Sequence, residues 1–324
     1  MRLLLTGAGG FVGGHLVAWL NAERPEVEIH GAVLPQGGIS WGTGSGMRVV
    51  ESDLNDPASA RALVEAVRPD RVLHLAGQAS PRQSFLDPGG TLRTNVLGIV
   101  HVLDAARQQG LRPDVLVVGS AEEYGAPLPG ELPLRETAPL RPASPYAVSK
   151  VAQGALALLY GPAGGMRVVL TRTFHHTGPG RGEAFAESSF ARQVAEIEAG
   201  LRPPVLAVGN LDAVRDFADV RDVVRAYWLL LDRGEAGAVY NVCTGRGRPV
   251  RELLDVLLAA SPARVEVKVD PARLRPSDVP VQVGDPAKLV AATGWQPRIP
   301  LEQTLRDLLE DWRARVGTSR PVPR

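Results

Sequence analysis

Three regularly spaced glycines stand in the segment that follows an apolar run at the start of the chain. Leu3-Leu4-Leu5 leads into Thr6-Gly-Ala-Gly-Gly-Phe-Val-Gly13, in which every third residue from position 7 is a glycine. Such glycines permit a tight turn from strand to helix, close approach of a pyrophosphate and close packing of the helix on the strand. Free N–H groups and the positive dipole end of the helix attract phosphates. The spacing predicts a dinucleotide site at Gly7, Gly10, Phe11, Val12 and Gly13, with a glycine-rich turn that binds nothing as the alternative.

Short apolar runs alternate with helical stretches through the first half of the chain. Strands are predicted at 2–5, 28–33, 48–51, 71–75, 115–118 and 167–172, and helices at 12–21, 57–67, 94–109 and 145–159. Because the strand runs are continuous rather than alternating, both faces of each strand are expected to be covered by helices. This pattern predicts an α/β protein with a doubly wound, parallel Rossmann sheet.

The pattern becomes more irregular after about residue 175, where loops rich in Gly and Pro separate shorter helices predicted at 188–199, 220–232 and 250–260. We therefore expect a smaller C-terminal α/β lobe. The predicted division is a dinucleotide-binding domain at 1–174, to which segments near 209–245 return, a lobe at 175–316 that mainly binds substrate, and a tail at 317–324.

Charge and cysteine content exclude several classes of protein. The 324 residues carry 36 basic and 35 acidic side chains, a net charge of +1, which disfavours binding to nucleic acid or to an anionic membrane surface through bulk charge. The single cysteine, Cys243, excludes an internal disulfide and a cysteine zinc finger. The N-terminal apolar run imitates a signal peptide, but the glycine turn interrupts it, and no apolar stretch is long enough to span a membrane. We expect a cytoplasmic protein.

Tyr146 and Lys150 are four residues apart on a predicted helix, which places both side chains on one face. An ammonium beside a phenol favours the phenolate, so Lys150 is expected to lower the pKa of Tyr146 toward the neutral range. The residue type is informative because only three lysines occur in the chain, and arginine serves equally well in surface ion pairs. The alternative is a tyrosine and a lysine on a solvated helix face.

Further candidates lie where predicted strands end, at the edge where doubly wound sheets bind ligands. Ser120 follows the strand at 115–118, and Glu122 is either a second group in the same crevice or a residue of a cap or solvated loop. Asp53, followed by Leu54, either places a carboxylate near an adenine amino group or caps a helix, as Asp56 would. Small residues suit a strand end beside a flat ligand, and the fourth strand ends with Leu75, Ala76 and Gly77.

Together, the glycine motif, residues 120–125 and residues 146–150 resemble the extended short-chain dehydrogenase/reductase superfamily, whose members modify nucleotide-activated sugars on NAD(P). Segments 171–180, 208–222 and 274–280 resemble its GDP-mannose branch. The likeness covers nearly the whole chain.

The resemblance implies roles for individual residues. Ser120, Tyr146 and Lys150 match the family's catalytic triad, and Lys150 would also hold the nicotinamide ribose. His175 and His176 would flank the nicotinamide, although the family usually has Asn at position 175. Their side chains diverge and lack a companion His/Cys cluster, so a metal site is not expected. Substrate contacts are implied for Ser120, Glu122, His175, Asn210, Arg215 and Arg275, the two arginines clamping a diphosphate; ordinary ion pairing is the alternative for Arg215.

The implied activity is NAD(P)H-dependent reduction of the 4-keto group of GDP-4-dehydro-6-deoxy-D-mannose to GDP-D-rhamnose. Alternatives are a GDP-mannose 4,6-dehydratase with Glu122 as the base at C5, a nucleotide-sugar 4-epimerase, and a non-catalytic nucleotide-binding regulator. Residues 31–34 contain neither the acid that favours NAD nor the arginine that favours NADP. NADP(H) is therefore permitted, and NAD(H) stays open. The resemblance also implies a homodimer that packs the helices at 94–109 and 145–159 into a four-helix interface.

Overall fold

Seven parallel strands form the main sheet of the computed structural model, which describes residues 1–35, 46–274 and 279–318. They are β1 (Arg2–Thr6), β2 (Glu28–Val33), β3 (Arg48–Glu51), β4 (Arg71–His74), β5 (Asp114–Ser120), β6 (Arg167–Thr173) and β10 (Val239–Val242). Their order across the sheet is β10-β6-β5-β4-β1-β2-β3, and every neighbouring pair is parallel. All six strands predicted from the first half of the chain are present, and the doubly wound α/β fold is confirmed.

Helices cover both faces of this sheet. On one face, α1 (Phe11–Glu23) and α8 (Val220–Arg233) pack over Leu3 and Leu5. On the other, α2 (Pro57–Val67), α5 (Gly98–Gln108) and α6 (Pro145–Gly164) pack in the cluster that includes Leu4. Neighbouring residues of β1 therefore point into different cores, which is why the strand is apolar without alternation.

The helical segment predicted at 94–109 begins earlier and is less regular than expected. It follows α3 (Pro81–Leu86) and starts with α4 (Pro88–Leu92), which Asp87 caps; a π-helical turn (Arg93–Leu97) then leads into α5. In that turn the buried Asn95 accepts from the backbone nitrogen of Gln78 at 2.7 Å and donates to the Ser149 hydroxyl at 2.8 Å. The irregular turn thus ties this helix to the end of β4 and to α6.

A second core lies away from the main sheet. It consists of α7 (Ala186–Glu198), α9 (Val250–Ala259) and α11 (Leu301–Thr318) with β8 (Val205–Val208), which pairs with β12 (Glu266–Val269). The observed helix bounds lie within two residues of those predicted at 188–199, 220–232 and 250–260. Helix α11 includes the first two residues of the predicted tail at 317–324, and residues 319–324 lie outside the described residues.

A small sheet lies between these two cores. It consists of β7 (His175–Thr177), β9 (Val214–Asp219), β11 (Gly247–Pro249) and β13 (Val281–Gln282), and α10 (Ala287–Thr293) follows it in the chain. After β6 the chain therefore passes through this sheet and the second core before β10 returns to the main sheet. None of the helices in the described part of the chain combines the length and apolar character needed to cross a bilayer.

Candidate active site

The glycine turn between β1 and α1 leaves almost no room for side chains. Gly7 has a φ of +70°, and a Cβ added there would lie 2.7 Å from the backbone nitrogen of Ala76 at the end of β4. At Gly13 an added Cβ would lie 2.5 Å from the carbonyl oxygen of Ala8, and at Gly10 it would lie 3.3 Å from that of Gly7. The turn therefore holds the first turn of α1 close to the ends of β1 and β4.

The start of α1 is open to an anion. Gly10 precedes Phe11 at the helix start, no side chain caps it, and the first turn contains no acidic residue. Uncapped N–H groups with the positive end of the helix dipole suit the pyrophosphate of a dinucleotide. Val12, in the same turn, is partly buried against the core beneath it.

The end of β4 connects this turn with Lys150. A Cβ added at Gly77 would lie 2.9 Å from the Asn95 amide oxygen and 3.6 Å from Nζ of Lys150. Ala76 donates its N–H to the Thr6 hydroxyl at 3.3 Å, and Leu75 is partly buried in the first core. The small residues here thus lie between the glycine turn and the ammonium.

Asp53 and Leu54 follow β3 at the same edge of the sheet. The carboxylate of Asp53 accepts from the backbone nitrogen of Asn55 at 2.9 Å, whereas Asp56 caps α2. Leu54 is buried beneath α5, and its carbonyl oxygen lies 2.8 Å from Nδ1 of His101. Of the two predicted roles, the helix cap belongs to Asp56 and not to Asp53.

Ser120, Tyr146 and Lys150 come together where β5 ends. Ser144 caps α6 and accepts from the Ala147 nitrogen at 3.1 Å, which places Tyr146 in the first turn as predicted. The Ser120 side chain lies near enough to Tyr146 to lower its pKa, and all three members of the predicted triad are buried. A solvated helix face, the alternative for Tyr146 and Lys150, is therefore excluded.

The ammonium of Lys150 is held by neutral acceptors. Its Nζ donates to the carbonyl oxygen of Val118 and to Oε1 of Gln153, each at 3.0 Å. Burial lowers the pKa of Lys150 to about 8, while the nearby carboxylate of Glu123 acts in the opposite direction. Lys150 is therefore a buried ammonium whose pKa lies close to neutral pH.

The expected lowering of the Tyr146 pKa by Lys150 is wrong for the protein by itself. Burial raises the pKa of Tyr146 to about 12. The side chain of Ser120 and the charge of Arg181 lower this pKa, whereas the carboxylates of Glu122 and Glu123 raise it further. Desolvation exceeds the attraction that helical spacing suggested, and Lys150 is directed instead toward Val118 and Gln153. At neutral pH the phenol of Tyr146 consequently keeps its proton.

The two histidines lie in β7, beside the glycine turn. The ring of His176 stacks on Phe11, with centroids 6.3 Å apart and an interplanar angle of 6°, and burial lowers the pKa of His176 to about 3. His175 contacts the ring of Phe217 with centroids 5.4 Å apart. The described residues contain no group of three or more His, Cys, Asp or Glu side chains arranged to hold a metal ion.

Arg215 and Asn210, two of the residues predicted to bind substrate, lie outside the cluster of Ser120, Tyr146 and Lys150. Arg215, in β9, donates to the carbonyl oxygen of Val214 at 3.0 Å, while its neighbour Asp216 is buried and accepts from Thr244 and Gly245. Asn210 is exposed and accepts from the Asp212 nitrogen at 2.9 Å. Arg275 lies outside the described residues.

A cavity of about 260 Å³ opens beside α7 and is rich in charged side chains. Its lining includes Arg192, Arg202 and Arg273, which pair with Glu183, Glu196 and Asp270. Gly209 approaches the backbone of Arg273, because a Cβ added at Gly209 would lie 2.7 Å from its carbonyl oxygen. The cavity therefore adjoins the loop that carries Asn210.

Two residues that the sequence interpretation missed contact this site. Arg181, in the loop after β7, lies 5.0 Å from the ring centroid of Phe11, and its charge acts on Tyr146. Glu123 accepts from the backbone nitrogen of Ser120 at 2.8 Å. The pattern Ser-x-x-Glu at Ser120–Glu123, typical of a capping box, could have indicated Glu123. No local pattern predicts the contact of Arg181 with Phe11.

Comparison with known proteins agrees with this arrangement. The sequence pattern of the family described as GDP-mannose 4,6 dehydratase matches residues 4–308. The chain is 40% identical over 315 residues to GDP-6-deoxy-D-mannose reductase of Pseudomonas aeruginosa, covering 97% of this chain and 98% of that protein. It is 30% identical over 290 residues to GDP-mannose 4,6-dehydratase of Yersinia enterocolitica, covering 79% of this chain and 76% of that protein.

The fold is similar to solved structures as well. The structure of RMD from Pseudomonas aeruginosa complexed with NADPH superimposes with a TM-score of 0.86 at 39% identity, covering 97% of this chain and 99% of that one.

Proposed function

Since the chain belongs to the GDP-mannose 4,6-dehydratase family of extended short-chain dehydrogenases/reductases, we propose that it reduces the 4-keto group of GDP-4-dehydro-6-deoxy-D-mannose to GDP-D-rhamnose. One observation supports the proton transfer that this reaction needs. Ser120 and a buried Tyr146 lie at the same sheet edge as a buried Lys150, and the raised pKa keeps the proton on Tyr146, as donation to a substrate oxygen requires.

The residues of the glycine turn suit a dinucleotide. The glycines at positions 7 and 13 allow the backbone of the turn and of the β4 end to pack closely, and the uncapped start of α1 offers its N–H groups to a pyrophosphate. Lys150 would hold the nicotinamide ribose beside Gly77. When bound, the reduced nicotinamide supplies the hydride. We propose NADP(H) as the cofactor because residues 31–34 contain no carboxylate to repel a 2′-phosphate, and NAD(H) as a second one.

The chain's own contribution is proton transfer and orientation. Ser120 binds the carbonyl oxygen of the substrate and orients it toward Tyr146. As C4 accepts a hydride, the Tyr146 hydroxyl gives its proton to that oxygen, so the ketone becomes a secondary alcohol and Tyr146 becomes a phenolate. The cation of Arg181, whose charge lowers the pKa of Tyr146, stabilises this phenolate until water returns the proton.

The substrate diphosphate is assigned to the region of Arg215, Arg275 and Asn210. A guanidinium suits phosphate oxygens because it donates two parallel hydrogen bonds. The neighbouring cavity of about 260 Å³, with Arg192, Arg202 and Arg273 in its lining, is of the size expected for part of a nucleoside diphosphate.

GDP-mannose 4,6-dehydratase activity is the second candidate, because Glu122 lies near enough to Tyr146 to affect its pKa and would serve as the base at C5. A 4-epimerase ranks third. The 40% identity to a reductase along nearly the full chain favours reduction over either.

One assay separates these activities. The purified protein is offered GDP-4-dehydro-6-deoxy-D-mannose with NADPH, and separately GDP-mannose without added reductant, while NADPH absorbance and sugar products are followed. We expect stoichiometric NADPH oxidation with the ketone only, and none with the Tyr146→Phe variant. Formation of the 4-keto sugar from GDP-mannose would identify a dehydratase, and no turnover of either compound would leave a nucleotide-binding regulator.

We also propose a homodimer formed through α5 and α6. Opposite the face that carries Tyr146 and Lys150, helix α6 exposes Val148, Leu156 and Leu159, the last at 64% exposure. Leu92 and Leu97, which precede α5, are exposed as well. An apolar face of this extent is typical of a subunit interface.

The compartment and the division into domains are proposed from the chemistry and from the separate cores. We propose a cytoplasmic protein because its cofactor and sugar-nucleotide chemistry needs no disulfide. We propose residues 1–174 as the dinucleotide-binding domain, joined by α8 and β10, and 175–316 as mainly the substrate lobe. The separate core of α7, α9 and α11 supports this division.

A further inference from the structure

We propose that Glu123 is a positioning residue of the active site, whose carboxylate holds Ser120 in place and balances the charge of Lys150. The inference rests on the proposed reductase function, in which Ser120 and Lys150 both serve Tyr146. Glu123 lies in the 3-10 turn Ala121–Tyr124 that follows β5, one residue after Glu122, the only one of the two acids that sequence interpretation singled out.

Glu123 closes a reciprocal cap on Ser120. Its Oε1 accepts from the Ser120 backbone nitrogen at 2.8 Å, and the Ser120 hydroxyl accepts from the Glu122 nitrogen at 3.2 Å. A Cβ added at Gly119 would lie 2.4 Å from the same Oε1, so the carboxylate occupies space that only glycine leaves open. These contacts fix the backbone and the hydroxyl of Ser120 relative to Tyr146.

The other carboxylate oxygen is held by a buried arginine. Oε2 of Glu123 accepts from Nε of Arg172 at 2.9 Å, and Arg172 also donates to the hydroxyl of Tyr124 and the carbonyl oxygen of Glu136. Both members of the pair are less than a tenth exposed. With both oxygens engaged, the carboxylate cannot rotate away. Burial raises the pKa of Glu123, and the hydrogen bond from Ser120 and the cation of Arg172 oppose this rise.

Glu123 also faces Lys150. The two side chains, with Gln153, line a cavity of about 10 Å³, and the hydrogen-bond acceptors of Lys150, the Val118 carbonyl and the Gln153 amide, are neutral. The other titratable groups around Lys150 are Tyr146 on its own helix and His74 on β4, whose pKa burial lowers to about 3, so that His74 is neutral. Glu123 is thus the carboxylate that favours the charged form of a lysine whose burial lowers its pKa to about 8.

The substitution Glu123→Gln separates the two roles, because the amide oxygen still accepts from Ser120 while the charge is lost. We expect the basic limb of the kcat/KM profile to move to lower pH by about one unit, because the amide no longer favours the charged form of Lys150. Glu123→Ala, which also frees Ser120, should lower kcat further. Glu136→Gln is the matched control: Glu136 accepts from the Asn241 nitrogen in the same network, and its substitution should leave the limb unmoved.

Loss of the charge leaves Arg172 buried and unpaired, so Glu123→Gln is measured alongside the double variant Glu123→Gln/Arg172→Gln, which removes that charge too. We expect the double variant to unfold at a higher temperature than the single one and to keep the shifted limb. A folded variant of either kind with the wild-type basic limb would overturn the proposal and leave Glu123 a structural residue.

A direct readout distinguishes this failure from failure of the proposed function. The chain contains only Lys150, Lys268 and Lys288, so protein labelled with 13C at lysine Cε gives three assignable NMR signals. Titration of the Lys150 signal is expected at lower pH in Glu123→Gln than in wild type or Glu136→Gln. The shift is measurable even in a protein that reduces no sugar nucleotide, and its absence overturns the proposal whatever the enzyme's substrate.

Discussion

Gly7 and Gly294 have the same left-handed backbone, each with a φ of +70°, but different surroundings. A Cβ added at Gly7 would lie 2.7 Å from the Ala76 nitrogen, whereas one added at Gly294 would meet nothing within 4 Å. Gly294 ends α10, far along the chain from the glycine turn. Comparing the two glycines therefore separates the free-energy cost of the left-handed backbone from the additional cost of a clash with the end of β4 beside the proposed cofactor site.

We predict that Gly294→Ala lowers the free energy of unfolding by about 1–2 kcal/mol, the cost of a side chain in the left-handed region. Gly7→Ala adds a clash with backbone that costs a further 1–3 kcal/mol or so and displaces β4 from α1. Thermal unfolding and NADPH titration measure both effects. NADPH affinity should fall in Gly7→Ala and stay near wild type in Gly294→Ala; equal affinity in both would remove the turn from the cofactor site.

Loss of the Tyr146 hydroxyl should abolish proton donation while leaving the fold intact. We predict that Tyr146→Phe lowers kcat by about 10²–10⁴-fold, the usual contribution of a general acid. NADPH affinity should change far less, because the hydroxyl contacts Ser120 rather than the glycine turn. Single-turnover reduction and NADPH titration test this, and a variant that retains turnover would exclude Tyr146 as the donor.

Two histidines with lowered pKa values, the buried His74 and the half-buried His176, make the fold sensitive to acid. Burial lowers the pKa of His74 and of His176 to about 3, so below about pH 6.5 the unfolded chain binds two protons that the folded protein does not. The free energy of unfolding should therefore fall as pH falls, by about 1.4 kcal/mol per unit for each histidine until near pH 3. Urea titrations between pH 7 and pH 5 or so measure the slope, and His176→Phe should reduce it by one histidine's share.

The exposed face of α6 should hold the dimer together. Replacing Leu156 and Leu159 with Glu places charges at the centre of the proposed interface, and we expect a monomer by light scattering where the wild type is a dimer. Leu201→Glu is the control, because Leu201 is 57% exposed at the far end of α7. Dimeric behaviour of the double variant would place the interface elsewhere.

The local pattern of apolar residues and caps was sufficient to predict the long helices and the strands of the main sheet. The runs at β1, β4 and β5 are apolar throughout because helices cover both faces of the sheet, and this makes them readable without knowing their partners. The cap at Ser144 and Pro145 correctly placed Tyr146 in the first turn of α6. The π-helical turn around Asn95 was not readable, because its cause is a set of hydrogen bonds to Gln78 and Ser149.

The order of residues alone determined the parallel α/β fold, the glycine turn, the shared helix face of Tyr146 and Lys150 and the position of Ser120 at a strand end, because these follow from periodicity and from the common direction of parallel strands. The grouping of the three side chains as one triad was implied by the resemblance to a known family. Tertiary structure decided the electrostatics of that edge. Whether the phenol of Tyr146 loses its proton depends on how deeply it is buried and on Glu123 and Arg181, which reach it from other elements. Desolvation is a property of the packed environment, and no spacing along the chain encodes it.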